Sequence, residues 1–181
     1  MKNFLSFILD VIKIVVIALV IVLPIRYFLF QPFLVSGSSM EPNFHDADYL
    51  IIDEISYRFR VPNRGEVIVF HYPLAPSERF IKRIIGLPGD TLTVQDNQID
   101  IETSAGAKQV LNESSYFKIP PSLNDFSISL GANQYFVMGD NRNFSFDSRN
   151  WGPVPKENII GRVWLKLWPF SQVNVIPLPN Y

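Results

Sequence analysis

The sequence contains no cysteine among its 181 residues and only two histidines, His45 and His71. Without cysteine the chain has no disulfide, no thiolate nucleophile and no zinc site built on sulfur. The two histidines do not stand in a paired spacing such as HExxH, so a zinc enzyme or a histidine-dependent triad is poorly supported. We therefore expect neither a metal nor another cofactor.

The chain also lacks an excess of charge of either sign. Its 16 basic and 17 acidic residues leave a net charge of -1, so the charge distribution does not favour a nucleic acid or another polyanion as a partner. Hydrophobic residues make up 48% of the chain and 15 residues are Phe, which is enough for a packed core. Beyond an apolar N-terminal segment, roughly 150 residues remain, the usual size of one domain.

One long apolar run is present, VIKIVVIALVIVLPIRYFLF, over residues 11–30. As a helix it would be about 30 Å long, which matches the hydrocarbon core of a bilayer. Lys13 and Arg26 lie near its ends, where long basic side chains can reach the two interfaces. The sequence therefore predicts one transmembrane anchor over residues 1–31, with a weak charge bias that places the N-terminus in the cytoplasm.

A cleavable signal peptide is the alternative reading of this segment. Lys2 is basic, and Ser36-Gly37-Ser38 has the small-x-small pattern of a cleavage site. Against this reading, Arg26 and the bulky stretch YFLFQPFLV separate the apolar run from those small residues. We favour a retained anchor.

After the anchor, short apolar or alternating runs recur between turn signals. DYLIID, VIVFHYP, TLTVQ and QYFVMGD are such runs, and RVPNRGE and GLPGD are two of the turns. This pattern predicts β-strands. Residues from about 91 to 133 are richer in Asn, Ser and Gln, and we interpret them as a small insertion between core strands.

The segment SGSSMEP, from Ser36 to Pro42, offers three serines. Most serine-rich stretches are loops, and a serine hydroxyl is a poor nucleophile until a base takes its proton. In the absence of cysteine and of a well-placed histidine, carboxylates, tyrosine and lysine remain as bases.

Lys82 is the lysine that the sequence singles out, in the segment RFIKRIIGLPGD. Its apolar neighbours would disfavour an ammonium ion, and burial can lower a lysine pKa by several units. A solvated lysine on an edge strand is the alternative. Because adjacent strand residues point to opposite faces, Lys82 and Arg83 cannot share one side, and periodicity alone leaves the question open.

A third segment, MGDNRNFSFDSRNWGPVP, is more polar than a turn requires. It can be a long hydrated loop. It can also form one side of a site. A hydroxyl such as that of Ser145 would then orient a base, and an Asp147–Arg149 ion pair would hold the segment in place.

These three segments, in this order behind an apolar run, resemble bacterial signal peptidase I (leader peptidase). The similarity covers nearly the whole chain in its organisation. It implies a mainly β fold: an antiparallel β catalytic core with a smaller inserted β region, preceded by one N-terminal transmembrane helix. Residues 32–181 would form the catalytic domain, outside the cytoplasm and close to the inner or plasma membrane.

By this resemblance Ser39, which precedes Met40, is the nucleophile and Lys82 is the general base. The reaction would be cleavage of a peptide bond through an acyl-enzyme. The remaining roles are a serine that helps to orient the lysine, a structural ion pair and the aspartate of the Gly-Asp-Asn motif, which fall on Ser145, on Asp147 with Arg149, and on Asp140.

The resemblance also implies the substrates, which are exported preproteins cut after a small-x-small sequence while their apolar segment sits in the lipid bilayer. Shallow pockets would admit alanine-sized side chains. Trp164 and Trp168 are candidates for contact with lipid. Six apolar residues are candidates for the pocket walls, although each could equally belong to the core: Phe33, Val35, Met40, Phe44, Phe80 and Ile81.

The sequence departs from some family members at Gly37, where a serine hydroxyl can assist the oxyanion hole, and at Asn43-Phe44, where Thr-Leu is commoner. The hole would then rely on the backbone N–H of Ser39 or on a hydroxyl of Ser36 or Ser38. Two other functions stay open. One is a self-cleaving Ser/Lys regulator of the SOS-repressor type, and the other is a non-enzymatic, membrane-tethered β binding module.

Overall fold

The computed structural model describes residues 2–28, 30–113 and 123–177. In this part of the chain the fold is mainly β, as the sequence predicts. Three α-helices are present: α1 (Lys2–Phe28), α2 (Ser56–Phe59) and α3 (Ser148–Trp151). The strands are β1 (Phe30–Leu34), β2 (Tyr49–Asp53), β3 (Val67–Tyr72), β4 (Ala75–Gly86), β5 (Thr91–Gln95), β6 (Gln98–Glu102), β7 (Lys108–Val110), β8 (Phe126–Ser129), β9 (Gln134–Met138), β10 (Val154–Pro155), β11 (Ile159–Trp168) and β12 (Asn174–Val175).

Eight of these strands form one antiparallel sheet. Their order is β1-β2-β11-β3-β4-β9-β10, and β12 pairs with β11. Register shifts interrupt several of the ladders, for example between Val163 and Leu165 where β11 pairs with β2. Such irregularities increase the local twist and let a sheet curve around a core.

A second antiparallel sheet has the order β7-β6-β5-β8. Asp96 and Asn97 join β5 to β6 with φ angles of 51° and 63°, the backbone that a two-residue hairpin of type I′ requires. The second sheet lies in the stretch interpreted as an insertion. Residues 114–122 of that stretch lie outside the described residues, and the division of the chain into domains stays a prediction.

Strand β4 places the central part of the site. One edge of β4 pairs with β3 from Tyr72 to Val67, but the other edge pairs with β9 only from Arg83 onward. The stretch of β4 before Arg83 therefore has one edge that no described strand covers. Because β9 ends at Met138, opposite Arg83, the loop that follows β9 begins beside Lys82.

Within the described residues the core consists of three apolar clusters. One lies under the turn after β1, one lies between β3, β4 and β9, and one lies under the second sheet. Gly86 marks a close approach in the last of these, because a Cβ atom at this position would lie 2.6 Å from Leu92 and 2.7 Å from Leu130. Alternating apolar residues on the strands produce these clusters, as the sequence pattern predicts.

Helix α1 is 27 residues long and leads into β1. Its described apolar side chains are exposed, and Phe4, Ile14 and Val20 are each at least 66% accessible. Among residues 2–28, 30–113 and 123–177, no helix is both long and apolar enough to cross a membrane, and the predicted transmembrane anchor is not confirmed. The side chain of Arg26, used in that prediction, lies outside those described, and so does that of Lys2, used for the alternative of a cleavable signal peptide.

Candidate active site

The turn after β1 carries Ser39 at its surface. The N–H of Phe44 donates to the carbonyl of Met40 at 3.0 Å, which closes the turn behind the serine. Gly37 adopts a φ of 86°, a backbone conformation that glycine accepts without strain, and its N–H donates 2.8 Å to Asp46 Oδ1. The side chains of Met40 and Phe44 are buried, so apolar packing fixes the turn from below while Ser39 stays half-exposed.

Lys82 and Ser39 meet across 43 positions of sequence. The Nζ atom of Lys82 donates to Ser39 Oγ at 2.8 Å and to the carbonyl of Ile81 at 2.9 Å. It also lies 5.5 Å from the centre of the Phe80 ring. Lys82 is only 5% exposed and Arg83 only 4%, so both are buried, on opposite sides of β4.

Burial lowers the pKa of Lys82 to about 8, from an ordinary value of 10.5. Removal from water disfavours the ammonium form. The negative charges of Asp147 and Asp140 act in the opposite direction and raise this pKa in part. The net result is a lysine whose neutral amine is well populated in weakly alkaline solution.

Asp147 and Arg149 form an ion pair beside this lysine. Arg149 Nε and Nη2 donate to the two carboxylate oxygens of Asp147 at 2.8 and 2.9 Å. Asp147 also accepts from the N–H of Gly139 at 2.9 Å and caps helix α3. Burial alone would raise the pKa of Asp147, but the bonds and charge of Arg149, together with the Gly139 N–H and the Ser145 hydroxyl, lower that pKa below its ordinary 3.8.

The Oγ atom of Ser145 is buried and makes no hydrogen bond of standard geometry within the described part of the chain. The hydroxyl nevertheless lies close enough to Asp147 to help lower the pKa of that carboxyl. Ser145 also packs against Gly139, because a Cβ atom added there would overlap Ser145 and the carbonyl oxygen of Ser39. Ser145 is thus brought to the site, but the hydrogen bond that would let it orient Lys82 is not formed in this structure.

Asp140 forms the second buried ion pair at the site. Arg83 Nε and Nη2 donate to its two carboxylate oxygens at 2.8 and 2.6 Å. The side-chain amide of Asn43 donates to Asp140 Oδ2 at 2.8 Å. The main chain of this loop also touches the nucleophile turn, because Asn141 N–H donates to the Ser39 carbonyl at 3.0 Å.

A cleft of about 400 Å³ opens in front of Ser39 and Lys82. Three of the six predicted pocket residues line it, namely Phe33, Phe80 and Ile81. The other three point into the core beneath the cleft, where they are at most 2% exposed, which corrects the expectation that they form pocket walls: Val35, Met40 and Phe44. Lining residues that the sequence did not single out include Leu34, Arg79, Phe144 and Phe146.

Sequence reasoning also missed the partners that hold the named residues. Asn43, Arg83 and Gly139 were not assigned roles, although each makes a direct contact at the site. The only local signal for Arg83 was its position next to Lys82. Asn43 stands at a departure from the family's commoner residue, and that departure could have drawn attention to it.

Comparisons with known proteins agree with a peptidase. The family described as "Signal peptidase, peptidase S26" matches residues 8–168. Signal peptidase I of Leptolyngbya laminosa is 39% identical over 94% of this chain and 85% of that protein. Signal peptidase I of Bacillus amyloliquefaciens is 34% identical over 93% of this chain and 92% of that protein. A solved signal peptidase I from Enterococcus faecalis V583 aligns with a TM-score of 0.48 and 29% identity, over 57% of this chain and 97% of that chain.

The family match and the two sequence relatives define the class first, since a chain with such relatives is a hydrolase, and among hydrolases a serine peptidase. The family match spans well over half of the chain. The chain belongs to the signal peptidase S26 family.

Proposed function

We propose that this protein removes N-terminal signal peptides from exported preproteins, with Ser39 as nucleophile and Lys82 as general base. The observation that carries the proposal is the 2.8 Å contact between Lys82 Nζ and Ser39 Oγ, made by a lysine whose pKa is lowered by burial. A neutral amine within hydrogen-bond reach of a hydroxyl can take its proton, and this is the requirement for activating a serine.

In this mechanism the oxygen of Ser39 attacks the carbonyl carbon of the scissile peptide bond while Lys82 takes the hydroxyl proton. The tetrahedral intermediate then collapses, the carbon–nitrogen bond breaks, and Lys82 returns the proton to the leaving amine. Water, deprotonated by the same amine, attacks the acyl-enzyme and releases Ser39. The mature protein is the first product, and the signal peptide is the second.

The N–H of Ser39 is the proposed oxyanion donor. It donates no hydrogen bond within the part of the chain that the structure describes, so it is available to the developing negative charge. Ser36 and Ser38 line the same cleft, and either hydroxyl can supply a second donor in place of the one that Gly37 lacks.

The cleft suits an extended substrate. It runs between β1, through Phe33 and Leu34, and the uncovered edge of β4, through Phe80 and Ile81. A peptide that lies along such an edge can form backbone hydrogen bonds as an added strand. The apolar walls leave room for small side chains, which is why we propose preproteins with small-x-small cleavage sites as substrates.

We also propose that α1 attaches the protein to the lipid bilayer of the cell membrane, with the catalytic part on the extracytoplasmic side. Support comes from the exposed apolar side chains of α1 and from Trp168 and Phe170, which are 51% and 70% exposed and pack 4.7 Å apart. Large exposed apolar surfaces require a partner. Carbonate extraction of membranes and protease access in spheroplasts test the attachment and its side.

The central experiment measures cleavage of a preprotein by the purified, detergent-solubilised protein. Ser39→Ala and Lys82→Arg are each expected to abolish cleavage, because the first removes the attacking oxygen and the second supplies a group that stays protonated. Ser104→Ala and Lys108→Arg change the same residue types at exposed positions and serve as matched controls. Retained processing by either site variant, with both controls active, would refute the dyad.

A further inference from the structure

Asn43 lies four residues after Ser39 and is held from two sides. Its side-chain Nδ2 donates to Asp140 Oδ2 at 2.8 Å, across 97 positions of sequence. Its carbonyl oxygen accepts a 3.1 Å hydrogen bond from Lys166 Nζ. An asparagine bound at both its side chain and its main chain can adopt only one position, and this position fixes the end of the turn that begins with Ser39.

Through Asp140, Asn43 is connected to β4, the strand that carries the general base. Asp140 is 1% exposed and accepts hydrogen bonds from both Arg83 Nε and Arg83 Nη2. Arg83 Nη1 in turn donates to the carbonyl of Gly65 at 2.9 Å. Because Arg83 is covalently joined to Lys82, a short series of contacts connects the nucleophile's turn to the base.

The other side of Asn43 rests on a buried ion pair that the peptidase mechanism does not use. Lys166 Nζ lies 2.5 Å from Asp48 Oδ2, and both side chains are at most 6% exposed. Asp48 also accepts from the N–H of His45 at 2.8 Å. A buried pair with its hydrogen bonds satisfied is rigid. The Lys166 Nζ atom that donates to the Asn43 carbonyl is therefore held in one place.

From this geometry we propose that Asn43 is a positioning residue for the peptidase reaction, which aligns Ser39 with Lys82 by tying the nucleophile's turn to the Asp140–Arg83 pair. The inference rests on the proposed function of Ser39 and Lys82. Small displacements of reacting groups are costly, since a misplacement of about 1 Å can reduce a rate by about a hundredfold.

Asn43 also acts on the electrostatics of the base. Lys82 faces two carboxylates, Asp147 and Asp140, and both raise its pKa. Arg149 offsets the first charge, while Arg83 and the Asn43 amide together offset the second. Arg79, which lines the same cleft, adds a further positive charge. A change at Asn43 should therefore alter the pH dependence as well as the rate, which a purely structural residue would not do.

Asn43→Asp is the sharpest variant, because it keeps the shape of the side chain, removes the donor and places a carboxylate against Asp140. We expect kcat for preprotein cleavage by the full chain in detergent to fall by about 10- to 100-fold, with KM within about twofold of wild type. The acidic limb of the kcat/KM profile should move to higher pH. Asn133→Asp makes the same substitution at an exposed turn before β9 and should match wild type.

A double-mutant cycle completes the test. The Asn43→Asp/Asp140→Asn variant exchanges donor and acceptor at unchanged net charge, so its loss of kcat should be smaller than the product of the two single losses. If Asn43→Asp does not fold by circular dichroism, Asn43→Ala takes its place in both measurements, and a loss of kcat with unchanged KM is again expected.

The inference is overturned if the Asn43 variant keeps the kcat and the acidic limb of wild type, or if the two single losses simply multiply. A comparison of wild type with Ser39→Ala separates this result from failure of the proposed function. If only the inference about Asn43 is wrong, wild type cleaves the preprotein and Ser39→Ala does not. If the proposed function itself is wrong, wild type and Ser39→Ala behave alike.

Discussion

Lys82 Nζ lies 2.8 Å from Ser39 Oγ, although 43 residues separate the two in sequence. The lysine reaches this place because β4 is buried on both faces from Ile81 onward. The same burial lowers its pKa to about 8. Position and reactivity of the base thus have a single structural cause.

The pH dependence of cleavage follows from this pKa. Only neutral Lys82 can accept the proton of Ser39, and a group with a pKa of about 8 is about one-tenth neutral at pH 7. We expect kcat/KM to rise about tenfold per pH unit below the pKa and to level off above it. The measurement is the initial rate of preprotein cleavage from pH 5 to 10 under single-turnover conditions. A flat profile over this range contradicts a lysine base.

Replacement of Lys82 by methionine should stabilise the protein while abolishing activity. The folded-state pKa of about 8 lies below the ordinary 10.5, so the unfolded chain binds more protons between these values and stability rises with pH there. Below pH 8 the full penalty of the buried ammonium applies. Lys82→Met removes it and should raise the free energy of unfolding at pH 7 by about 3 kcal/mol.

Urea unfolding at pH 7 and at pH 11 checks this prediction. The gain of Lys82→Met over wild type should shrink at the higher pH, where the folded and unfolded proteins both hold a neutral lysine. Lys108→Met, at an exposed position, should show neither the gain nor its pH dependence. Equal stability of Lys82→Met and wild type at pH 7 would show that the ammonium is not penalised.

Gly139→Ala should impair both activity and stability. A Cβ atom at Gly139 would overlap Ser145 and the carbonyl oxygen of Ser39, so the loop after β9 must move away from the nucleophile's turn. Overpacking of this kind costs about 1–3 kcal/mol, and we expect kcat to fall at least about tenfold.

Thermal unfolding and steady-state cleavage measure the two effects of Gly139→Ala. Gly131→Ala is the matched control, because its Cβ would meet only the flexible side chain of Gln134, at 3.2 Å. If Gly139→Ala matched Gly131→Ala in both measurements, the close packing at Gly139 would have no functional consequence.

The Asp147–Arg149 pair should contribute strongly to stability. Asp147 is fully buried, and removal of one partner of a buried pair costs about 3 kcal/mol. Asp147→Asn is therefore expected to lower the free energy of unfolding by about this amount at pH 7. Because the pKa of Asp147 is lowered from 3.8, the contribution is present above pH 3.8 and disappears as the pH falls through the lowered pKa.

Glu102→Gln provides the comparison for Asp147→Asn. Glu102 pairs with Lys108 at 3.4 Å, but both side chains are about half exposed or more, and such surface pairs contribute less than about 1 kcal/mol. Urea unfolding at pH 7 should separate the two variants, and in a series at falling pH the difference should narrow only below pH 3.8, as the lowered pKa of Asp147 is passed. Similar losses at pH 7 would show that burial does not strengthen the Asp147–Arg149 pair.

The strands were the most predictable part of this protein. Alternation in TLTVQ and the apolar run in VIVFHY reflect the two-residue period of a strand, and both form strands, β5 and β3. The three chemical segments were also visible locally, because each concentrates residue types that a packed core or a simple turn does not need.

Pocket walls could not be separated from core by the same reasoning. Phe33 and Val35 stand two positions apart and are both apolar, yet Phe33 lines the cleft and Val35 is buried beneath it. The difference arises because β1 ends at Leu34 and the chain turns inward. A period of two cannot indicate where a strand stops.

The sequence by itself determined the local backbone preferences, the mainly β character and the residue types available for chemistry. Only the tertiary structure decided that Lys82 is buried, that Ser39 is its partner and that Asn43 connects the turn of Ser39 to the Asp140–Arg83 pair. These outcomes depend on contacts such as Asn43–Asp140, across 97 positions, whose free energy exists only when distant strands pack together. Burial and charge, which set the pKa of a lysine, are properties of that packing.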